Sequence, residues 1–285
     1  MEISRAMVVG AGSMGAGIAQ LFAQCGIPAI LADINEEAAS RTIEGLGTRL
    51  GRRVAQGKMR ADEMKDILSR ICPAAGCGAA AEADFVLEAV FEEMYVKKKV
   101  FAELDGFAPP GAIFATNTSS LPVTEIASAV SRPERVVGMH FFNPPLVMKL
   151  VEIMPGAATA PETVERTREL AVRMGKEPVI VRFDSSAGIA SRTLAGMLNE
   201  AVEVLAAGLA SAEDIDKAMK AGAGLPMGPL ELIDLIGVDI HLAKSETLYR
   251  EIGDLRYKPN LLLEKMVRAG HLGRKAGRGF FTYNE

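Results

Sequence analysis

The sequence predicts an α/β protein: a doubly wound, mostly parallel sheet over residues 1–184, followed by an all-helical second domain over residues 185–285. Three observations carry that expectation. Short apolar runs alternate with helical segments as far as Phe183, the pattern of a parallel sheet covered on both faces. A glycine-rich turn joins the first such run to the first helix. Beyond the turn-rich joint DSSAG (184–188), apolar residues recur at helical spacing almost to residue 270.

The elements follow in order. AMVVG (6–10) is a short β-branched run, and GAGSMG (10–15) opens the helical stretch AGIAQLFAQCG (16–26), where a glycine ends the helix. PAILAD (28–33) is a second strand that finishes on Asp33, twenty-three residues after Gly10. This is the Rossmann-type arrangement. Gly10 permits the tight turn, Gly12 lets the backbone approach a pyrophosphate, and Gly15 lets the helix pack close to the strand. Unsatisfied N–H groups at the helix start face the phosphates. A carboxylate at Asp33 accepts ribose hydroxyls and repels a 2′-phosphate, so the expected cofactor is NAD(H), not NADP(H).

Residues 34–70 read as helical, with basic residues at Arg41, Arg49, Arg52, Arg53, Lys58 and Arg60. They form either a solvated helix face or an edge that binds the phosphates of a large anionic substrate. Further strands are expected at 84–90, 112–117, 135–142, 150–154 and 177–183, and a charged helix begins near Glu92. In the second domain, Ser211 ahead of Glu213 and Asp214 marks a helix start. One small bundle leaves apolar faces to cover, and a homodimer through this domain is expected.

Bulk properties exclude several classes. With 49% hydrophobic and 24% charged residues and a net charge of −4, the chain has the profile of a soluble globular protein. Nucleic acid and anionic membrane are disfavoured as partners. Three cysteines (Cys25, Cys72, Cys77) argue for a reducing compartment over a disulfide framework, and the Cys72–Cys77 gap suits no zinc site. The N-terminal run does not read as a signal peptide, and no stretch is long enough to span a bilayer. A cytoplasmic location is expected.

In open α/β sheets, ligands bind at the carboxyl ends of strands. Ser119, His140 and Glu152 fall there. Taken singly, His140 reads as a hydrogen-bonded core residue, Ser119 as a helix cap and Glu152 as a solvated acid at a strand end. Taken together they suit oxidation of an alcohol by a nicotinamide. Histidine supplies a base near neutrality, a carboxylate on the other ring nitrogen sets its tautomer, and a hydroxyl holds the substrate oxygen. The break at Asn143-Pro144-Pro145 lets the strand at 150–154 fold back, with Glu152 against the imidazole. His241 and His271 read as structural.

VVGAGSMGAGIAQLFAQCG, LADIN, NTSSL, GMHFFNPP followed by MKLVEIM, EDIDKAMKAGAGLPMGPLELIDLIGVD and the closing GRKAGRGFFTY resemble the short-chain L-3-hydroxyacyl-CoA dehydrogenases. The resemblance runs over essentially the full length and is strongest to their bacterial 3-hydroxybutyryl-CoA branch. It implies His140 as general base, Glu152 as its carboxylate partner and Ser119 as the hydroxyl contacting substrate and nicotinamide. Gly10, Gly12, Gly15 and Asp33 match the adenosine and pyrophosphate site, and Glu92, Lys97, Asn143 and Lys275 match positions near the cofactor. Lys58 is implied as a partner of the coenzyme A phosphates.

One stretch departs from the pattern. Where the family reads Pro-Gly-Phe-x-x-Asn-Arg, this chain reads Ala187-Gly188-Ile189-Ala190-Ser191-Arg192, so Ser191 replaces a substrate-facing asparagine. Loss of an oriented polar contact costs on the order of 1–3 kcal/mol, and a small or polar substrate fits the altered corner. The resemblance leaves two other readings: a dehydrogenase of a free hydroxy acid of gulonate or carnitine type, and an NAD(H)-binding protein without turnover. A lysine-dependent β-hydroxyacid dehydrogenase is disfavoured, because ASRTLAGMLNEAVEVL has no lysine.

Overall fold

The structure, a computed structural model, describes residues 3–185 and 187–283. The chain divides between Gly188 and Ile189 into two compact units.

The first unit is built on an eight-stranded sheet. Its opening is β1 (Ala6–Val9), α1 (Ser13–Gln24), β2 (Ala29–Asp33), α2 (Glu36–Ala55), α3 (Ala61–Ser69) and β3 (Ile71–Ala75). β4 (Phe85–Glu88), α4 (Met94–Phe107), β5 (Ile113–Thr116), α5 (Val123–Ala127) and β6 (Val136–Phe141) follow. β7 (Leu150–Pro155), α6 (Pro161–Arg173) and β8 (Glu177–Ile180) complete it. The strand order is β3-β2-β1-β4-β5-β6-β7-β8, and every neighbouring pair is parallel except β6–β7. The order reverses between β1 and β4, so their carboxyl ends open a crevice at the switch point.

Strand sequence and packing agree. Along β1, Ala6 and Val8 pack in one apolar layer with Ile18, Phe22 and Leu46, while Met7 and Val9 pack in the opposite layer with Phe101, Leu104 and Ile126. Burial on both faces explains why AMVV and FVLE are nearly continuous apolar runs. Helix ends are specified locally. Asn35 Oδ1 accepts the Ala38 N–H at 2.8 Å at the start of α2, with Glu36 and Glu37 in the first turn and Arg52 and Arg53 in the last.

Two features differ from expectation. β3 lies at the sheet edge and carries Pro73, which an edge strand tolerates but which suppresses a strand reading. The helical stretch 34–70 is two helices, separated by a turn in which Gly57 takes φ +68°.

The second unit contains α7 (Ile189–Ala206), α8 (Ala212–Ala223), α9 (Pro229–Ile236), α10 (Val238–Ile252) and α11 (Leu261–Arg268) around Leu198, Val202, Leu230, Ile233 and Leu263. Ser211 Oγ accepts the Asp214 N–H at the start of α8, as its sequence position predicts. Two buried aspartates pin this unit. Asp216 accepts the Leu230 and Glu231 N–H groups that open α9, and Asp234 accepts those of Phe280 and Phe281. Among the described residues no helix is long and apolar enough to cross a membrane.

Candidate active site

The glycine turn closes over the end of β1. Gly10 has φ +104°, and a side chain there would overlap the Ala89 carbonyl. A Cβ at Gly15 would run into the Gly10 carbonyl, so α1 can approach the turn only with glycine at this place. Gly12 is different: nothing lies within 4 Å of where its Cβ would be. The chain itself gives no steric reason for glycine at 12, whereas a group arriving from outside does. Gly12 is also the N-cap of α1 and no side chain caps that end, which leaves its N–H groups for an anion. Asp33 Oδ2 accepts the Ala11 N–H at 2.7 Å and Oδ1 that of Ile34 at 2.8 Å, placing the acid beside the turn. These residues fit a dinucleotide.

Across the switch point, the end of β4 carries a buried charge cluster. Glu88 is 0% and Lys97 1% exposed, with Lys97 Nζ 2.7 Å from Glu88 Oε1 and 3.3 Å from Glu92 Oε2. Glu88 also accepts the Val90 N–H and the Thr116 hydroxyl, each at 2.8 Å. Glu92 keeps 36% of its side chain open, yet its Oε1 gathers Thr118 Oγ1 and the Ser119 and Ser120 N–H groups at 2.7–2.9 Å. Burial alone would raise its pKa; the charge of Lys97 and these donors outweigh burial and hold the carboxyl below the ordinary range. Ser119 Oγ lies 3.3 Å from the same oxygen. Glu92 thus organises the loop that carries Ser119, and Lys97 holds Glu92.

β6 and β7 pair antiparallel with His140 directly opposite Glu152. Residues opposite each other share a face, and His140 Nδ1 meets Glu152 Oε2 at 3.0 Å with the two residues 5% and 1% exposed. The Phe142 ring lies 4.4 Å from the imidazole. Gly188 walls the acid from behind, since a Cβ there would overlap the Glu152 carboxylate. Asn117 Oδ1 accepts the Phe141 N–H at 2.8 Å and ties the loop of Ser119 to the residue after His140.

The other sequence-derived positions lie as follows. Asn143 is exposed in the β6–β7 loop, and that loop is fastened by Lys176 Nζ, which donates to the Pro145 and Met148 carbonyls. Lys58 is exposed in the turn between α2 and α3, and among the described residues no hydrogen bond or ion pair joins it to another candidate. In the helical unit, Ser191 is buried and accepts from Lys244 Nζ at 2.9 Å, and Lys275 Nζ lies 2.7 Å from Asp239 Oδ2. His241 is buried against Asn199 Oδ1 at 3.0 Å. The sequence reading does not single out Glu88, Asn117, Thr118 or Lys176. An acid inside the apolar run DFVLEAV was the available signal for Glu88; the others become visible only through long-range contacts.

Comparison with known proteins gives concordant results. The model of the 3-hydroxyacyl-CoA dehydrogenase NAD binding domain matches residues 5–185, and that of the 3-hydroxyacyl-CoA dehydrogenase C-terminal domain matches residues 189–283. A probable 3-hydroxybutyryl-CoA dehydrogenase of Bacillus subtilis (strain 168) is 46% identical over 285 residues, covering 100% of this chain and 99% of the relative. A 3-hydroxyadipyl-CoA dehydrogenase of Escherichia coli (strain K12) is 42% identical across 99% of this chain and 60% of its own length. The crystal structure of (S)-3-hydroxybutyryl-CoA dehydrogenase from Ralstonia eutropha superposes with a TM-score of 0.95 at 39% identity, covering 100% of both chains.

Proposed function

Because the chain belongs to the 3-hydroxyacyl-CoA dehydrogenase family, we propose that it interconverts a short-chain L-3-hydroxyacyl-CoA and the 3-ketoacyl-CoA, with His140 as general base. It is an NAD-dependent oxidoreductase. The observation that carries the assignment of the base is the buried 3.0 Å contact between His140 Nδ1 and Glu152 Oε2 at the carboxyl end of β6.

NAD⁺, when bound, supplies the hydride acceptor. The chain supplies the rest. Glu152 accepts a hydrogen bond from the Nδ1–H of His140, which fixes this tautomer and leaves the Nε2 lone pair to accept the substrate hydroxyl proton. The carboxylate then balances the imidazolium in a site screened from water. Ser119, positioned by Glu92, holds the substrate oxygen through its hydroxyl. Gly12 and the start of α1 take the pyrophosphate, and Asp33 the ribose hydroxyls. Glu92, Lys97, Asn143 and Lys275 are assigned to the cofactor, Ser191 to the substrate and Lys58 to the coenzyme A phosphates.

We also assign the chain to the cytoplasm as a homodimer. Free thiols at Cys25, Cys72 and Cys77 suit a reducing compartment, and exposed Leu235, Ile236 and Ile240 on the helical unit suit association of two copies.

The test follows NADH absorbance with acetoacetyl-CoA. In His140→Gln, turnover is expected to fall by about 10²–10⁴-fold, while NADH still binds by fluorescence titration. Near-normal turnover in that variant refutes the assignment of the base.

A further inference from the structure

A buried cation fastens the loop between β6 and β7. α6 stops at Arg173, and Gly175, at φ +71°, turns the chain into Lys176 just ahead of β8. Lys176 is buried, and its Nζ donates to the Pro145 carbonyl and, at 2.9 Å, to that of Met148. Among the described residues no carboxylate pairs with it. A buried ammonium is costly unless its donors are met, so the two carbonyls are what holds it there.

The loop needs such a donor. It runs over 142–149 as FNPPLVMK, and its two prolines have no N–H to donate. The Val147 and Met148 N–H groups both go to the Pro144 carbonyl at 3.0 Å, which leaves the Pro145 and Met148 carbonyls for Lys176. Apolar packing does little for the loop: Leu146, Val147 and Met148 are exposed, and Pro145 is buried. The Pro145 ring rests on α1 at Gly17, where a Cβ would come within 2.5 Å of Pro145 Cγ. The loop is thus held from two sides, by the helix that opens after Gly12 and by Lys176. Between this anchor and β6 lie Phe142, whose ring is 4.4 Å from the imidazole of His140, Asn143 and Pro144.

We propose that Lys176 is a positioning residue for the dehydrogenase reaction: its ammonium seats the β6–β7 loop on α1 and thereby sets Asn143 against the bound dinucleotide. The proposal rests on the reading of Asn143 as a cofactor residue given above. Arginine in place of Lys176 still donates to both carbonyls from one head group, whereas methionine fills the space and leaves both unmet. The loop then shifts about Pro145, and Asn143 moves with it.

The experiment measures KM for NADH and for acetoacetyl-CoA on the full chain, each with the other at saturation. In Lys176→Met the KM for NADH is expected to rise about tenfold and the KM for acetoacetyl-CoA to stay within about twofold, while kcat falls about 10–100-fold. Lys176→Arg should keep the KM for NADH within about threefold of wild type. Both KM values come from one sample, so partial loss of folded protein cancels. Gly17→Ala displaces Pro145 from the helix side and leaves the lysine in place. It should raise the KM for NADH in the same way, and it decides the matter if Lys176→Met does not fold. In an Asn143→Ala background, Lys176→Met should add less than about twofold. An unchanged KM for NADH in Lys176→Met, equal rises in both KM values, or a full further rise in the Asn143→Ala background overturns this proposal alone. If Asn143→Ala by itself leaves the KM for NADH at the wild-type value, the reading of Asn143 fails and the proposal with it. Wild-type protein that reduces no acetoacetyl-CoA overturns the dehydrogenase reading together with both.

Discussion

Replacing Lys97 by methionine isolates what the buried cluster at the end of β4 contributes. Methionine keeps much of the length and apolar stem of lysine and removes the ammonium. Glu88, 0% exposed, then retains only the Val90 N–H and the Thr116 hydroxyl as partners in its contacts given above. At 2.7 Å, and at the effective dielectric that describes protein sites, the lost Coulomb attraction is about 6 kcal/mol. Part of this is offset because the ammonium no longer has to be taken out of water, and breaking a buried pair by deleting one partner costs about 3–5 kcal/mol net. For a domain of this size that lowers the melting temperature by roughly 6–20 °C. Glu92 loses the charge 3.3 Å from its Oε2, so the loop at 118–120 loosens and NADH binding weakens as well. Thermal unfolding followed by circular dichroism reads the first effect, and NADH fluorescence titration the second. The control is Glu88→Gln in the same chain. It removes the stranded charge, keeps a carbonyl oxygen for the Val90 N–H, turns an amide donor to the Thr116 hydroxyl, which accepts as well as donates, and should recover at least half of the lost stability. A Lys97→Met protein that melts within about 2 °C of wild type, or a double variant no more stable than the single one, sinks the electrostatic account of this site.

Two further expectations separate the roles of single residues. Gly12→Ser keeps a good N-cap on α1 and meets no neighbour in the chain, so melting should hold within about 2 °C while NADH affinity falls at least roughly tenfold; a loss of stability with affinity intact would contradict the cradle. His241, buried and pushed down to about 4, has a folded pKa below its ordinary value near 6.5. Its contribution, up to about 3 kcal/mol, is therefore complete above pH 6.5 and is lost as the pH falls toward 4. His241→Gln, which keeps an amide donor for Asn199, should flatten that limb of a urea-midpoint profile, and parallel profiles would show that this histidine does not set the slope.

Much of the site was legible because its parts are local. The run from Ala6 to Asp33 alternates strand, glycine turn, helix and strand within one stretch of chain, and each piece is bounded by a residue that can do little else there. The hairpin of β6 and β7 was legible for a related reason: the prolines after Asn143 interrupt the strand, and period-two alternation then sets Glu152 opposite His140. What stayed hidden depends on distant partners. Glu88 at a strand end looks like a solvated acid until Lys97 is folded against it. β3 looks like a loop because Pro73 and partial exposure mask an edge strand. The break between α9 and α10 falls at Gly237, whose φ of +112° interrupts an apolar spacing that continues on both sides.

The motif glycines sort into two kinds once their surroundings are compared, and the sorting bears on how far a motif argues for chemistry. A Cβ at Gly188 would overlap the carboxylate of Glu152, at Gly228 that of Asp216, and at Gly279 that of Asp234. In each case the missing side chain makes room for an acid that is already engaged. Glu152 meets the imidazole of His140, Asp216 takes the N–H groups that open α9, and Asp234 takes those of Phe280 and Phe281. The stretches GLPMGPLELIDL and GRGFF are therefore explained largely by folding of the helical unit, and their presence alone says little about turnover. Gly12 has no such internal partner, and the open space around it leaves room for a dinucleotide. Gly12 and the His140–Glu152 pair are accordingly where substitution should separate activity from stability, whereas substitution within the Glu88–Lys97–Glu92 cluster should move both.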